Sequence, residues 1–302
     1  MNEKKLILNN IKFDFTHHSI YNKKKNSSYN NFNLKLLIIL QSLCILLFFI
    51  CLFDDKNIHL TLSEKKIHFD KYETTKFNGI KEKLDKNYCS EMWGNQREFL
   101  NGIIRFFKPI KILEIGVRRG GSSIIILNAI SDFKESILFS IDISSEDNIG
   151  NCTKKYFPDL MKKWRLFKGN IATEFLEQIG NDIDMVLIDT AHFEPGEILD
   201  FLMVLPFLKE NAIIIFHDIA NQITKSVKRN EWAPYIIFNG IRGEKYLPSG
   251  NNILTHDIGA IKLETNQKVY YHDYFRLLGG QWQYYPKEIH IFIISFIKIL
   301  FV

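Results

Sequence analysis

Apolar residues fall into two kinds of run along this chain. One kind is short, β-branched and repeated, over 111–115, 137–141, 184–188 and 212–216. The last three are followed at once by Asp142, by Asp189 and by His217-Asp218. Strands that are apolar throughout and alternate with helical stretches predict an α/β fold, a mostly parallel sheet covered on both faces. Closing strands are expected at 235–238 and 259–263, with a turn at Pro248-Ser249-Gly250-Asn251. A helix is expected over 124–130, capped by Ser122 or Ser123.

The other kind of run occurs once near the start. From 36 to 53 no residue is charged, and only Gln41 and Ser42 interrupt the apolar stretch. As a helix it would rise about 27 Å, close to the hydrocarbon thickness of a bilayer. A single-pass transmembrane anchor is therefore expected. A buried core helix is the plain alternative, but the run has no polar face. A cleaved signal peptide fits poorly, because the run starts late and no small-residue site follows Phe53. Lys23, Lys24, Lys25 and Lys35 precede the span, and Asp54 and Asp55 follow it. That asymmetry favours the tail in the cytoplasm and the main domain on the other side, and the opposite orientation stays open. The organisation expected is a flexible polar tail (1–35), the anchor (36–53), a linker with early helices (54–87), the α/β domain (88–285) and an apolar segment (286–302). The last segment is too short to span a bilayer upright, and an added strand, an interfacial helix and a docking segment all fit it.

Composition narrows the partners. With 302 residues, 46% apolar, there is material for one large domain with attachments. A net charge of +5, partly in the tail, gives no basic face for nucleic acid. Cys44 and Cys51 lie in the apolar run, Cys89 and Cys152 stand apart, and no CxxC occurs, so a structural zinc site is not expected. A Cys89–Cys152 disulfide would require an oxidising compartment.

The chemistry begins at Leu113-Glu114-Ile115-Gly116-Val117-Arg118-Arg119-Gly120-Gly121-Ser122-Ser123. A strand ends in a carboxylate and enters a glycine turn, then a helix start. Gly116 and Gly120 let backbone approach a ligand closely. A dinucleotide site would show GxGxxG, with pyrophosphate on the helix N-terminus. Here the glycines are spaced differently, and Glu114 would repel a pyrophosphate while suiting a cationic ligand. An NAD-dependent oxidoreductase is therefore disfavoured. Asp142 ends the second strand, where an acid can accept ribose hydroxyls, and Asn170 follows the third, placed for an adenine edge.

From 111 to 218 the chain resembles class I S-adenosylmethionine-dependent methyltransferases, most closely the small-molecule and sugar O-methyltransferases. Two segments carry the closer likeness: Val186-Leu187-Ile188-Asp189-Thr190-Ala191-His192, and Ala212-Ile213-Ile214-Ile215-Phe216-His217-Asp218. The pattern departs at Lys209-Glu210-Asn211-Ala212, where a Gly-Gly normally precedes the fifth strand. The resemblance implies a Rossmann-like, doubly wound, mostly parallel seven-stranded sheet. It also implies S-adenosylmethionine as cofactor, held by Glu114, Gly116, Arg118, Gly120, Ser122, Asp142, Asn170 and Asp189.

His192 and Asp189 are the catalytic candidates, with His192 as base for a hydroxyl acceptor. Asp189, His217 and Asp218 are candidate ligands of a divalent cation such as Mg2+, although a histidine shifts preference toward transition metals. A metal-free site shaped by His217 and Asp218 is the alternative. Tyr270, Tyr271, Trp282, Tyr284 and Tyr285 could stack on a sugar ring or simply pack an edge. Trp93 and Gln96 are placed to cover the cofactor, and Arg118 or Arg119 to meet its carboxylate. The expected acceptor is a glycan or a small hydroxylated molecule, and a homo-oligomer is among the expected assemblies. A catalytically silent module on the same fold, interacting at the membrane, is the competing reading.

Overall fold

The computed structural model describes residues 66–69, 75–220, 232–249 and 257–279. The tail, the 36–53 run and the 286–302 segment lie outside these residues, as do Trp282, Tyr284 and Tyr285. Among the described residues no helix is long and apolar enough to cross a membrane.

The described residues open with β1 (Lys66–Phe69), α1 (Thr75–Lys86) and α2 (Gly94–Phe107). It then alternates: β2 (Lys111–Ile115), α3 (Gly121–Ala129), β3 (Ile137–Asp142), α4 (Asn151–Tyr156), β4 (Trp164–Lys168), α5 (Thr173–Ile179). After these come β5 (Ile183–Ile188), α6 (Gly196–Val204), β6 (Leu208–His217), α7 (Ala233–Gly240), β7 (Gly243–Pro248), β8 (Ile258–Leu263) and α8 (Tyr271–Arg276). One eight-stranded sheet results, ordered β1-β7-β8-β6-β5-β2-β3-β4. Strand β8 is antiparallel to both β6 and β7, and every other neighbouring pair is parallel.

Alternation along the strands explains why the sheet is covered twice. Ile112, Met185, Ile213 and Ile215 join one apolar layer with Phe99, Leu100 and Ile103 of α2 and Ile124–Leu127 of α3. Leu113, Ile115, Val186, Ile214 and Phe216 join the other, against α5, α6 and α7. Each such side chain contributes about 1.5–3 kcal/mol on burial, so both layers drive folding. Strands β2 and β5 are neighbours whose following helices lie on opposite faces. A crevice must open at their carboxyl ends, the usual place for a ligand in such sheets.

Three expectations change here. The sheet has an eighth strand, β1, added at the edge beside β7 and parallel to it, so it is larger than the seven-stranded, mostly parallel sheet expected. Within the 54–87 stretch, where early helices are expected, α1 buries Phe77 and Leu84 completely. The 235–238 run is not a strand. Pro234 sits in the first turn of a helix, where it is tolerated, and the β-branched residues after it are carried into α7. The closing strand comes later, at β7, and its last residue is the Pro248 expected to begin a turn. Finally, α3 starts earlier than 124, and its N-cap is Gly120 in the left-handed region, with no side-chain cap from Ser122 or Ser123.

Candidate active site

A cavity of about 890 Å³ opens at the carboxyl ends of β2, β3, β5 and β6. That volume is at the upper end of the roughly 300–1,000 Å³ common for ligand sites. Its walls bring together Gly116, Arg118, Ser122, Asp142, Asn170, Asp189, His192, His217 and Asp218. Glu114 and Gly120 are not among the lining residues.

The floor is built by the glycine turn. Gly116 adopts φ +91°, and a Cβ there would stand 1.8 Å from the Asp189 carbonyl oxygen. Only glycine lets the turn after β2 lie against the end of β5. The Gly116 N–H donates to Ile141 O (2.9 Å), and the Asp189 N–H donates to Ile115 O (3.0 Å). Asp142 holds the turn from the other side. Its Oδ2 accepts from the N–H groups of Val117 (3.0 Å) and Arg118 (2.8 Å), and its Oδ1 accepts from Ser144 N (2.9 Å). Gly120 serves packing against α4, since a Cβ would meet Thr153 Oγ1 at 2.4 Å.

Glu114 lies beneath this turn, with no exposed surface. The hydroxyls of Ser122 (2.5 Å), Ser123 (2.6 Å) and Ser140 (2.5 Å) all donate to its carboxylate. Burial pushes its pKa up to about 7, against the pull of those three hydroxyls. The serines expected to cap α3 therefore tie the helix to the sheet through Glu114.

A strap closes one side. Tyr88 to Met92 line the cavity, and Cys89 is disulfide-bonded to Cys152 of α4. The Arg119 guanidinium donates to Tyr88 O (2.7 Å), while Arg118 pairs with the exposed Glu91. Trp93, expected as a cover, is 65% exposed and does not line the cavity. Gln96 is fully buried in α2. It accepts from Trp93 N (2.7 Å), and its Oε1 lies 3.2 Å from His217 Nε2. Tyr270 and Tyr271 do not reach this cavity, and both pack on the second apolar layer.

The mouth is crowded with charge. His192 Nε2 stands 3.1 Å from Asp218 Oδ2, and its Nδ1 stands 3.4 Å from Glu197 Oε1. His217 Nδ1 lies 3.2 Å from Asp218 Oδ2 and 3.8 Å from Asp189 Oδ2, but is not aligned to hydrogen-bond. Burial opposes a charged His192, yet Glu197, Asp218 and Asp189 outweigh it and raise the ring to about 9. Burial likewise opposes a charged His217, and Asp189, Asp218 and Asp257 raise it to about 9. Burial raises Asp189, more than the two histidines lower it.

Two acids of α6, Glu197 and Asp200, stand at the site with no role expected from the sequence, although the helix around Asp200 belongs to the segment that carries the resemblance. Glu197 is fully buried, and burial lifts it to about 7. Asp200 accepts from the Thr190 hydroxyl (2.6 Å), and burial lifts it to about 6. Their signal was two carboxylates, three residues apart, in the otherwise apolar helix Gly-Glu-Ile-Leu-Asp-Phe-Leu-Met-Val. That spacing puts both on one face, turned toward the 189–192 loop.

Residues 113–219 match the model of a family described as a methyltransferase domain. No curated protein matches the chain. Among solved structures, it is similar to an O-methyltransferase from Bacillus cereus in complex with SAH, at 17% identity and TM-score 0.47. The match covers 62% of this chain and 90% of that one. It is also similar to an O-methyltransferase from Streptomyces achromogenes involved in tomaymycin synthesis, in complex with SAM. There the identity is 16%, the TM-score 0.45, and the coverage 67% of this chain and 92% of that one. The glycine turn and the strand-end acids Asp142, Asp189 and Asp218 all fall within the segment, residues 113–219, that the methyltransferase-domain model matches.

Proposed function

We propose that this protein methylates a hydroxyl group of a sugar, a glycan or a related small molecule, with S-adenosylmethionine as donor. The observation that carries the reading is His192, which lines the same cavity as the glycine turn, with Nε2 on the side of Asp218. The donor fits what the cavity offers. Asp142 and Asn170 line one side beyond Gly116, and the volume admits a nucleoside-sized ligand together with an acceptor.

The bound donor supplies an already activated methyl group on a sulfonium. The protein's task is alignment, which lowers such a barrier by about 7–11 kcal/mol at best. The turn fixed by Asp142 would seat the donor, and the strap would exclude water from one side. His192 would take the acceptor's hydroxyl proton on Nε2 as the oxygen forms its new bond to carbon. The carbon–sulfur bonding pair stays on sulfur, and the proton leaves later to solvent.

A divalent cation fits the mouth. Ligand atoms of Asp189, His192 and Asp218 lie within 4.8 Å of one another, and the buried His217 Nδ1 has no hydrogen-bond partner. Asp189 and Asp218 with one histidine would hold it. There it would lower the pKa of a nearby hydroxyl and offset the carboxylates that keep His192 protonated.

We place the domain at a membrane, tethered by the 36–53 run, on the non-cytoplasmic side. The flanking charges support that side, and so does the Cys89–Cys152 disulfide, because such bonds persist in oxidising compartments. The silent-module reading draws on the same histidine, since a ring raised to about 9 already carries its proton near neutrality.

Calorimetry on the full chain in detergent decides first. Saturable binding of SAH, without binding of NAD, is expected, followed by SAH release when S-adenosylmethionine and Mg2+ meet a panel of free sugars. Binding without turnover on any hydroxylated acceptor would favour the silent module, and absence of SAH binding would remove both the donor and the reaction.

A further inference from the structure

Five carboxylates line the cavity: Glu91, Asp142, Asp189, Asp200 and Asp218. Four of them are met by charge or by several donors. Glu91 pairs with Arg118, and Asp142 accepts three backbone N–H groups. Asp189 faces one histidine and Asp218 faces two. Asp200 differs. Its Oδ2 accepts from the Thr190 hydroxyl (2.6 Å), the one hydrogen bond it makes among the described residues. A carboxylate offers about four acceptor sites, so the Oδ1 side is left for a donor that enters the cavity.

The wall around Asp200 says what kind of donor fits. Leu199 and Met203 flank it on α6, and Ala172 leads into α5 from the turn after β4. All three belong to the second apolar layer as well as to the cavity wall. Helices α5 and α6 pack on each other, so this part of the cavity is an apolar slot with one acid in it. Such walls suit a flat base and not a sugar, whose hydroxyls would be stranded against them. A base in turn needs a polar partner at its edge. Asn170, expected there, is exposed, and its Oδ1 accepts from its own neighbour Ile171 N (3.0 Å). Position agrees with this. The donor's methyl group has to face His192 and its ribose Asp142, which leaves the slot to the base.

We propose that Asp200 reads the base of the methyl donor, its Oδ1 accepting a hydrogen bond from the exocyclic amine of adenine while Thr190 holds Oδ2. This rests on S-adenosylmethionine being the donor. The contact lies a ribose away from the methyl group, so Asp200 sets which nucleoside enters and takes no part in the transfer. A base without the amine would leave the carboxylate unmet in apolar surroundings, and a site built that way rejects such an analogue.

Calorimetry on the full chain in detergent compares SAH with its 6-deamino analogue, in which hydrogen replaces the adenine amine. Wild type should bind SAH about 10- to 100-fold more tightly, the range for a lost hydrogen bond to a charged group. Asp200→Asn keeps the shape and one acceptor for the Thr190 hydroxyl, and turns an amide N–H toward the base. There the preference for SAH should fall to within about threefold, and Asp200→Ala should match it, with thermal melts showing both variants folded. A wild type that binds the two compounds alike overturns the proposal before any variant is made. So does a preference of wild-type size in both variants. That result together with a raised KM for an acceptor would move Asp200 to the acceptor's side. Binding of neither compound would sink the donor reading itself, and the assignment with it.

Discussion

Two glutamates in this molecule are equally buried and differently served. Glu114 lies under the floor of the cavity and receives three hydroxyl donors. Glu197 lies behind the mouth, with one backbone N–H, one long contact to a ring and an oxygen that has no partner. Burial lifts both to about 7. The same division runs through their surroundings. At the floor, Asp142 accepts three backbone N–H groups. At the mouth, His192 Nδ1, His217 Nδ1 and Gln96 Nε2 are buried without a hydrogen-bond partner. A buried polar group left unpaired costs about 1–3 kcal/mol. The floor is therefore part of what holds the fold, whereas the mouth stores unmet valence that a substrate or cation can use.

The strap tests which side a wall belongs to. Cys89 and Cys152 are 63 residues apart in sequence, so their bond removes a long loop from the unfolded ensemble. Chain entropy puts that at about 4 kcal/mol. Reduction, or Cys152→Ser, is expected to lower Tm by about 10 °C and to weaken SAH binding, because Tyr88 to Met92 line the cavity. Calorimetry with and without reductant checks both. An unchanged Tm would separate the strap from the floor.

Glu114 comes next in size. Glu114→Leu would strand three buried hydroxyls and is expected to cost about 3 kcal/mol. Its titration has a definite sign. The folded-state value is raised, so the folded protein binds the proton more tightly than the unfolded chain does. The contribution is complete below about pH 4.5 and is lost as pH rises through about 7. Stability should therefore fall between pH 5 and pH 8, and Glu114→Gln should flatten that part of the curve in thermal melts. A slope that survives in Glu114→Gln would place its source in the mouth.

The fold was far more legible than this contrast. Doubly buried strands announce themselves as continuous apolar runs, which is why β2, β3, β5 and β6 could be placed from residue pattern alone. Run 235–238 misled because its β-branched residues obey α7's tertiary packing, and Pro234 speaks for a helix start only when read together with residues 235–240. In the site, strand ends put Asp142, Asp189, His192, His217 and Asp218 around one cavity. Glu114 was read as facing the cofactor because it sits near the strand end, yet alternation turns it beneath the turn, toward Ser122, Ser123 and Ser140. Glu197 and Asp200 carry no expected role because a carboxylate in a helix is ordinarily a solvated one, and only the packing of α6 shows both turned inward.

The smallest expected effect is the sharpest. Glu197→Leu removes a carboxylate from surroundings that hardly supply it with donors, in a helix whose neighbouring side chains are apolar. The cost is one lost acceptor for Thr190 N, while the loop keeps its second tether through Asp200. The gain is relief of burying a poorly paired acid, which for buried ion pairs replaced by apolar groups is often neutral or favourable. His192 survives the change, because its side chain is 23% exposed and a ring losing Glu197 can give up its proton to solvent. The two terms nearly cancel, so thermal melts at neutral pH should place Glu197→Leu within about 1 kcal/mol of wild type, against about 3 kcal/mol lost in Glu114→Leu. Equal losses in the two variants would mean that Glu197 is structural after all, that the mouth is as firmly built as the floor, and that its unpaired atoms hold no valence in reserve.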